Sequence, residues 1–357
     1  MKKDKVLLLD LILLLLILAS ISFIFHKPEQ KISAQTYITE RMQQCSESND
    51  SRGCLKESAS DFLNRFNLTQ ILGVLDQNET RPEFFNNCHL LAHYLGREEY
   101  QRTGSVQKVF DEGSRVCLGG VLHGAVEGYL IAKKIPFGEN NDKIVAAEFP
   151  RICGNEADYK IPQYFTECHH GLGHAAMFFA EDDLIRALSL CDALPTENQR
   201  ELCYTGAFMA NADGTGSRDH PSKYGLKSDD PFYPCQLLNK QYLGQCYTYS
   251  VLVPYQADLS KSAEICRGVP SDYRDACFQT IGRDRTTQSS DPVELKNQCQ
   301  SISEDNFQKD CISGAAYNLV IRFGPTSTKA KQFCQLVSEN SQEICNSNIQ
   351  GALKRFK

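Results

Sequence analysis

Sixteen cysteines, the first at Cys45, constrain this chain more than any other feature. Eight segments share one pattern, a Cys that leads into an apolar stretch of helical character. They begin at Cys88, Cys117, Cys168, Cys203, Cys246, Cys277, Cys311 and Cys345, and the last four starts stand 31, 34 and 34 residues apart. That period is the size of a helix–turn–helix repeat.

Most of these Cys have a partner just upstream: Cys153–Cys168, Cys191–Cys203, Cys235–Cys246, Cys266–Cys277, Cys299–Cys311 and Cys334–Cys345. Five of the six separations are 11 or 12 positions. Turn and N-cap signals fall between them, at Pro195-Thr196, Pro270-Ser271, Ser303 and Ser338, where a hydroxyl can accept from the open N–H groups of a new helix. The spacing predicts that the first Cys ends helix A and the second lies about two turns into helix B. A disulfide then staples each hairpin near its turn. Cys45 and Cys54 are local to each other, and a Cys88–Cys117 bond would join two adjacent B helices. No C-x-x-C exists, so disulfides fit better than zinc modules, and so many bridges imply an oxidising compartment. The fold expected is all-α, helix–turn–helix repeats stacked like an α-solenoid, because one hairpin is too small to hold a core of its own.

Over residues 150–357 the period and Cys placement resemble the secreted Sel1-like cysteine-rich repeats, in which disulfides staple helix pairs. The Gly and Ala pattern of that family is absent, as is the tetratricopeptide Trp. The resemblance implies the stapled-pair fold and carries over no function.

Residues 6–25 form an apolar run, interrupted only by Asp10, Ser20 and Ser22. That length crosses about 30 Å of hydrocarbon. Lys2, Lys3 and Lys5 precede it, which keeps residues 1–5 cytoplasmic and exports residues 26–357. A cleaved signal peptide is the alternative, with the same export. Residues 26–84 read as a polar stalk with one or two helices, one of them Asp61 to Leu75 by apolar spacing. Residues 85–210 hold a histidine-rich helical region, 211–234 a loop rich in Gly, Asp, Ser and Pro, and 235–357 regular stapled repeats. Asn49, Asn67 and Asn78 sit in N-x-S/T sequons. The net charge is −6 and no basic patch appears, so nucleic acid is not an expected partner.

Six of the eight histidines lie between positions 89 and 174: His89, His93, His123, His169, His170 and His174. The later segments have none. His123 and His174 each follow a leading Cys by six positions, where later repeats carry Met209, Leu252, Arg283, Tyr317 and Gly351. Residues four apart share a helix face, so His89 projects with His93, His123 with Glu127, and His170 with His174. His169 turns away from His174. Several Gly beside these His point to close helix approach.

Three neighbouring helices each offering two ligand-type groups predict a divalent metal ion, zinc, iron or copper, held by His89, His93, His123, Glu127, His170 and His174. Six candidates exceed the three or four that zinc needs, which favours two metals or one metal with outer His. Glu127 is a ligand or a general base. The bland alternative is a polar core network. The reading is a membrane-anchored extracytoplasmic metal-binding protein that admits a metalloenzyme, hydrolase or oxidase. The alternative is a non-enzymatic helical-repeat scaffold with a protein partner on the C-terminal repeats.

Overall fold

The structure, a computed structural model, describes residues 33–79, 81–85, 87–161, 163–213, 222–227, 229–249 and 258–356. The expected membrane span at residues 6–25 and positions 214–221 and 228 of the Gly-rich loop lie outside these. Among the described residues no helix is long and apolar enough to cross a membrane.

The described chain is helical, without a named strand. Its α-helices are α1 (Ala34–Glu47), α2 (Ser51–Arg65), α3 (Leu68–Asn78), α4 (Pro82–Phe85), α5 (Cys88–Thr103), α6 (Val106–Glu112), α7 (Gly120–Ala132), α8 (Asp142–Ile152) and α9 (Gln163–Phe179). They continue as α10 (Leu184–Cys191), α11 (Glu197–Asp213), α12 (Lys240–Tyr249), α13 (Leu259–Gly268), α14 (Ser271–Gln288), α15 (Pro292–Gln300), α16 (Asp305–Phe323), α17 (Lys329–Leu336) and α18 (Glu339–Leu353).

All eight disulfides form the pairs that the spacing predicts, with Cα atoms 5.3–5.8 Å apart, and no cysteine is free. Cys203, Cys246, Cys277, Cys311 and Cys345 are each the seventh residue of their helix, two turns in. Cys88 and Cys117 depart from this rule. Cys88 opens α5, and Cys117 lies in a turn before α7, so neither is two turns into a helix.

Helix starts follow the expected caps only in part. Thr196 caps α11: its hydroxyl accepts from Gln199 N–H, and Gln199 accepts from Thr196 N–H. Ser338 stands at the N-cap of α18, but its hydroxyl pairs with Ser341. Ser303 and Ser271 miss the cap by one position, which Glu304 and Pro270 occupy. The helix expected over Asp61 to Leu75 is two helices. Asn67 breaks it by forming a capping box with Gln70, accepting from Gln70 N–H at 2.8 Å. Residues 34–78 are more than a stalk: α1 to α3 bury Ile38, Met42, Phe62, Ile71 and Leu75, and α2 packs on α5.

Consecutive B helices lie side by side in the order α5, α7, α9, α11, α12, α14, α16, α18. Paired glycines set the closest crossings. A Cβ on Gly124 of α7 would overlap the His93 carbonyl, and one on Gly206 of α11 would overlap the His170 carbonyl. Helix backbones in this contact tolerate only hydrogen at those points. The glycines therefore bring α5 onto α7, and α9 onto α11, at the level of the histidines.

Candidate metal centre

His89 and His93 stand one turn apart on α5, so both rings leave the same face. His123 reaches them from α7 and His174 from α9. These four rings each offer a nitrogen, and the four nitrogens all lie within 4.8 Å of one another. His93, His123 and His174 are buried, and His89 is half-buried. The His123 and His174 rings stack, with centroids 4.3 Å apart and planes 15° from parallel.

Hydrogen bonds on the outer side fix the tautomers. His89 Nδ1 lies 2.7 Å from the Cys117 carbonyl oxygen, which can only accept, so His89 donates from Nδ1 and its lone pair is on Nε2. His93 Nδ1 lies 3.0 Å from Glu127 Oε1 and donates in the same way. The Thr205 hydroxyl donates to the Leu202 carbonyl at 2.6 Å, so it accepts from His170 Nδ1 at 2.7 Å. An outer acceptor on one ring nitrogen, with the other turned inward, is the arrangement that orients histidine ligands in metalloproteins.

The inward nitrogens come close in pairs. His89 Nε2 and His93 Nε2 are 3.3 Å apart, and so are His170 Nε2 and His174 Nε2. With Nδ1 of both His89 and His93 protonated, their Nε2 atoms face each other lone pair to lone pair. That is repulsive unless a proton or a cation sits between. His123 is the sharper anomaly. It is fully buried, and neither ring nitrogen has a hydrogen-bond partner in the protein. A buried polar atom left without a partner costs about 1–3 kcal/mol.

Burial sets the charge state. It pushes His89 down to about 3, helped by the neighbouring His93. His170 falls to about 4, through burial first and then Arg115 and Arg283. Burial, then the adjacent rings, hold His123 and His174 well below the usual imidazole range. These rings are neutral at pH 7, the form that binds metal.

The six residues singled out by the sequence divide into an inner and an outer group. His89, His93, His123 and His174 converge. His170 lies beside them, its ring 5.1 Å from those of His123 and His174. Glu127 stands behind His93, with one oxygen taken by His93 and the other by Arg97 Nε at 2.6 Å. Burial alone would raise this carboxyl, but Arg97 and then His93 outweigh it and hold it at about 2. His169 is elsewhere: it donates to the Phe165 carbonyl and packs on the Phe165 ring.

Sequence reasoning passed over four partners. Arg97 continues the spacing of four from His89 and His93, and Thr205 follows Cys203 by the two positions that separate His170 from Cys168, so both were open to a pattern search. The Cys117 carbonyl was not. It lies in a turn where Cys117, Leu118 and Gly119 all have left-handed backbone, φ 54°, 56° and 75°. Nothing in the side chains there announces it. Glu79, which accepts from Cys117 N–H at 3.1 Å, was equally hidden. Comparison with family models, curated proteins and solved structures found no match, so the functional argument rests on these residues.

Proposed function

We propose that this chain is an exported metal-binding protein, held at a membrane by residues 6–25, whose centre is a histidine-only site for a divalent transition metal. One observation carries the reading: fully buried His123, with two unpartnered nitrogens, sits among imidazoles whose lone pairs already point inward. A cation among these rings takes the lone pair of His123 and relieves the facing lone pairs of His89 and His93. An all-imidazole set suits zinc first and copper or iron as alternatives. Eight disulfides support an oxidising compartment. The stacked hairpins serve as a solenoid scaffold that holds α5, α7 and α9 in register.

In this reading Glu127 is a positioning residue. It keeps the His93 proton on Nδ1 and the Nε2 lone pair inward, and Arg97 keeps Glu127 ionised. Any catalytic use requires a coordination position left open for water or substrate.

Elemental analysis of the purified full-length protein tests the proposal. Stoichiometric zinc, copper or iron is expected, lost in a His123→Ala variant that keeps its helical circular dichroism. Protein that carries none of these metals and takes up no Zn2+ by calorimetry overturns it.

A further inference from the structure

The four converging imidazoles would complete one tetrahedral ion, yet they leave two features unexplained. The first is His170. Its proton is fixed on Nδ1 by Thr205, and its Nε2 is turned to His174 Nε2 at 3.3 Å, although His170 is not one of the four whose nitrogens all converge. Two nitrogens on one tetrahedral ion with bonds of ~2.0–2.1 Å stand about 3.3–3.4 Å apart. The His89–His93 pair and the His170–His174 pair both have that separation. The second is His123. A neutral imidazole has one lone pair and one N–H. A single ion would take the lone pair and leave the N–H buried with nothing to accept it.

We infer that the centre holds two metal ions, one between His89 and His93 and one between His170 and His174, with His123 giving one ring nitrogen to each. The ring centroids agree with that middle place: His123 lies 5.6 and 5.4 Å from His89 and His93, and 5.1 and 4.3 Å from His170 and His174. The ring proton of His123 passes to solvent as the second ion binds, so that both nitrogens carry a lone pair. The remaining positions on each ion are left to water or an exogenous ligand. The helix pairs share one design. His89 and His93 are four apart on α5, as His170 and His174 are on α9, and a tight glycine crossing lies beside each pair.

This inference rests on reading the histidines as metal ligands, and its test separates the two claims. The full-length protein is stripped with chelator and titrated with Zn2+, and uptake is counted by elemental analysis after desalting. Two ions per chain are expected, falling to one in His170→Ala and to one in His89→Ala. One ion per chain in the wild type, unchanged in His170→Ala, overturns the second ion and leaves the metal centre standing. That result fits an arrangement in which His174 donates to His170 from Nε2 and uses Nδ1 on a single ion. No uptake at all overturns both. Loading the unmodified protein with Cu2+ avoids any folding defect in the variants. A spin-coupled pair, with spectral intensity well below two isolated ions, is expected. One isolated Cu2+ signal per chain, at saturation, overturns the proposal.

Discussion

Arg115 donates from Nη1 to the carbonyl oxygen of Ile321, 3.0 Å away and 206 residues along the chain, while its Nε pairs with Glu167 at 3.0 Å. Glu167 lies beside the histidines: a Cβ on Gly119 would stand 3.8 Å from Glu167 Oε2 and 3.6 Å from His123 Nε2. A stack of repeats is ordinarily coupled only through nearest neighbours. Here one side chain joins the approach to the histidine cluster to the last turn of α16, where a helix carbonyl lacks an intrahelical donor.

Arg115→Ala is therefore expected to loosen the two halves from each other while barely changing total stability, since a half-exposed ion pair contributes about 0–1 kcal/mol. Hydrogen exchange at the C-terminal turn of α16 should speed up, and the thermal transition should broaden or split. Unchanged exchange there, with one sharp transition, would show that the bridge does not couple the halves.

The disulfide next to the centre should differ in consequence from those far away. The Cys117 carbonyl fixes the His89 proton, and the Cys88–Cys117 bond holds that carbonyl in a left-handed turn. A Cys88→Ser/Cys117→Ser double variant should lose metal affinity by ten-fold or more, because outer partners of histidine ligands act on that scale. The Cys334→Ser/Cys345→Ser pair closes an 11-residue separation in the last hairpin. It should lower stability by about 2–4 kcal/mol and leave affinity unchanged. Chelator competition on both variants measures this, and equal affinity in the two would refute the link to His89.

Glu127→Gln keeps an oxygen that can accept from His93 Nδ1 and removes the charge that Arg97 neutralises. A loss of about 10–100-fold in metal affinity with the ion count unchanged is expected of a group that orients a ligand. A fall in the ion count would instead make Glu127 a direct ligand.

Much of this molecule was legible from its cysteines. The 11- and 12-residue separations carry the hairpin geometry, because two turns of helix B return the second Cys to the level at which helix A ends. The convergence of His89, His93, His123 and His174 was legible as spacing of four on neighbouring helices. What was illegible is backbone conformation. The Cys117 turn looks like the start of a helix in sequence, so the shared offset of six placed His123 on the wrong ruler even though it does stack on His174. Asn67 hid a helix break inside apolar periodicity. Asn78 looks like a glycan acceptor, but it is buried and its amide donates to the Val74 carbonyl at 2.7 Å. Exposed Asn67 is the better acceptor of the two.

The acidic limb of stability should carry a readable signature outside the histidine cluster. Burial, with Asp275 nearby, raises the Asp310 carboxyl to about 6, and a hydrogen bond with Gln279 only partly opposes this. The folded state thus binds this proton more tightly than the unfolded chain does. A carboxyl raised in this way contributes stability that is fully present below the unfolded value near 4 and lost as pH rises through about 6. At pH 7 the ionised Asp310 is a burden on the α14–α16 pair. Asp310→Asn should therefore raise stability at pH 7 by about 1–2 kcal/mol, after discounting for partial exposure, and make little difference at pH 4. Measuring the melting temperature of both proteins from pH 4 to 7.5 removes every titration they share. The difference between them should open between pH 4 and 6.5 and then level off. A difference that stays flat, or one that favours the wild type at pH 7, would show that Asp310 is not held protonated by its surroundings.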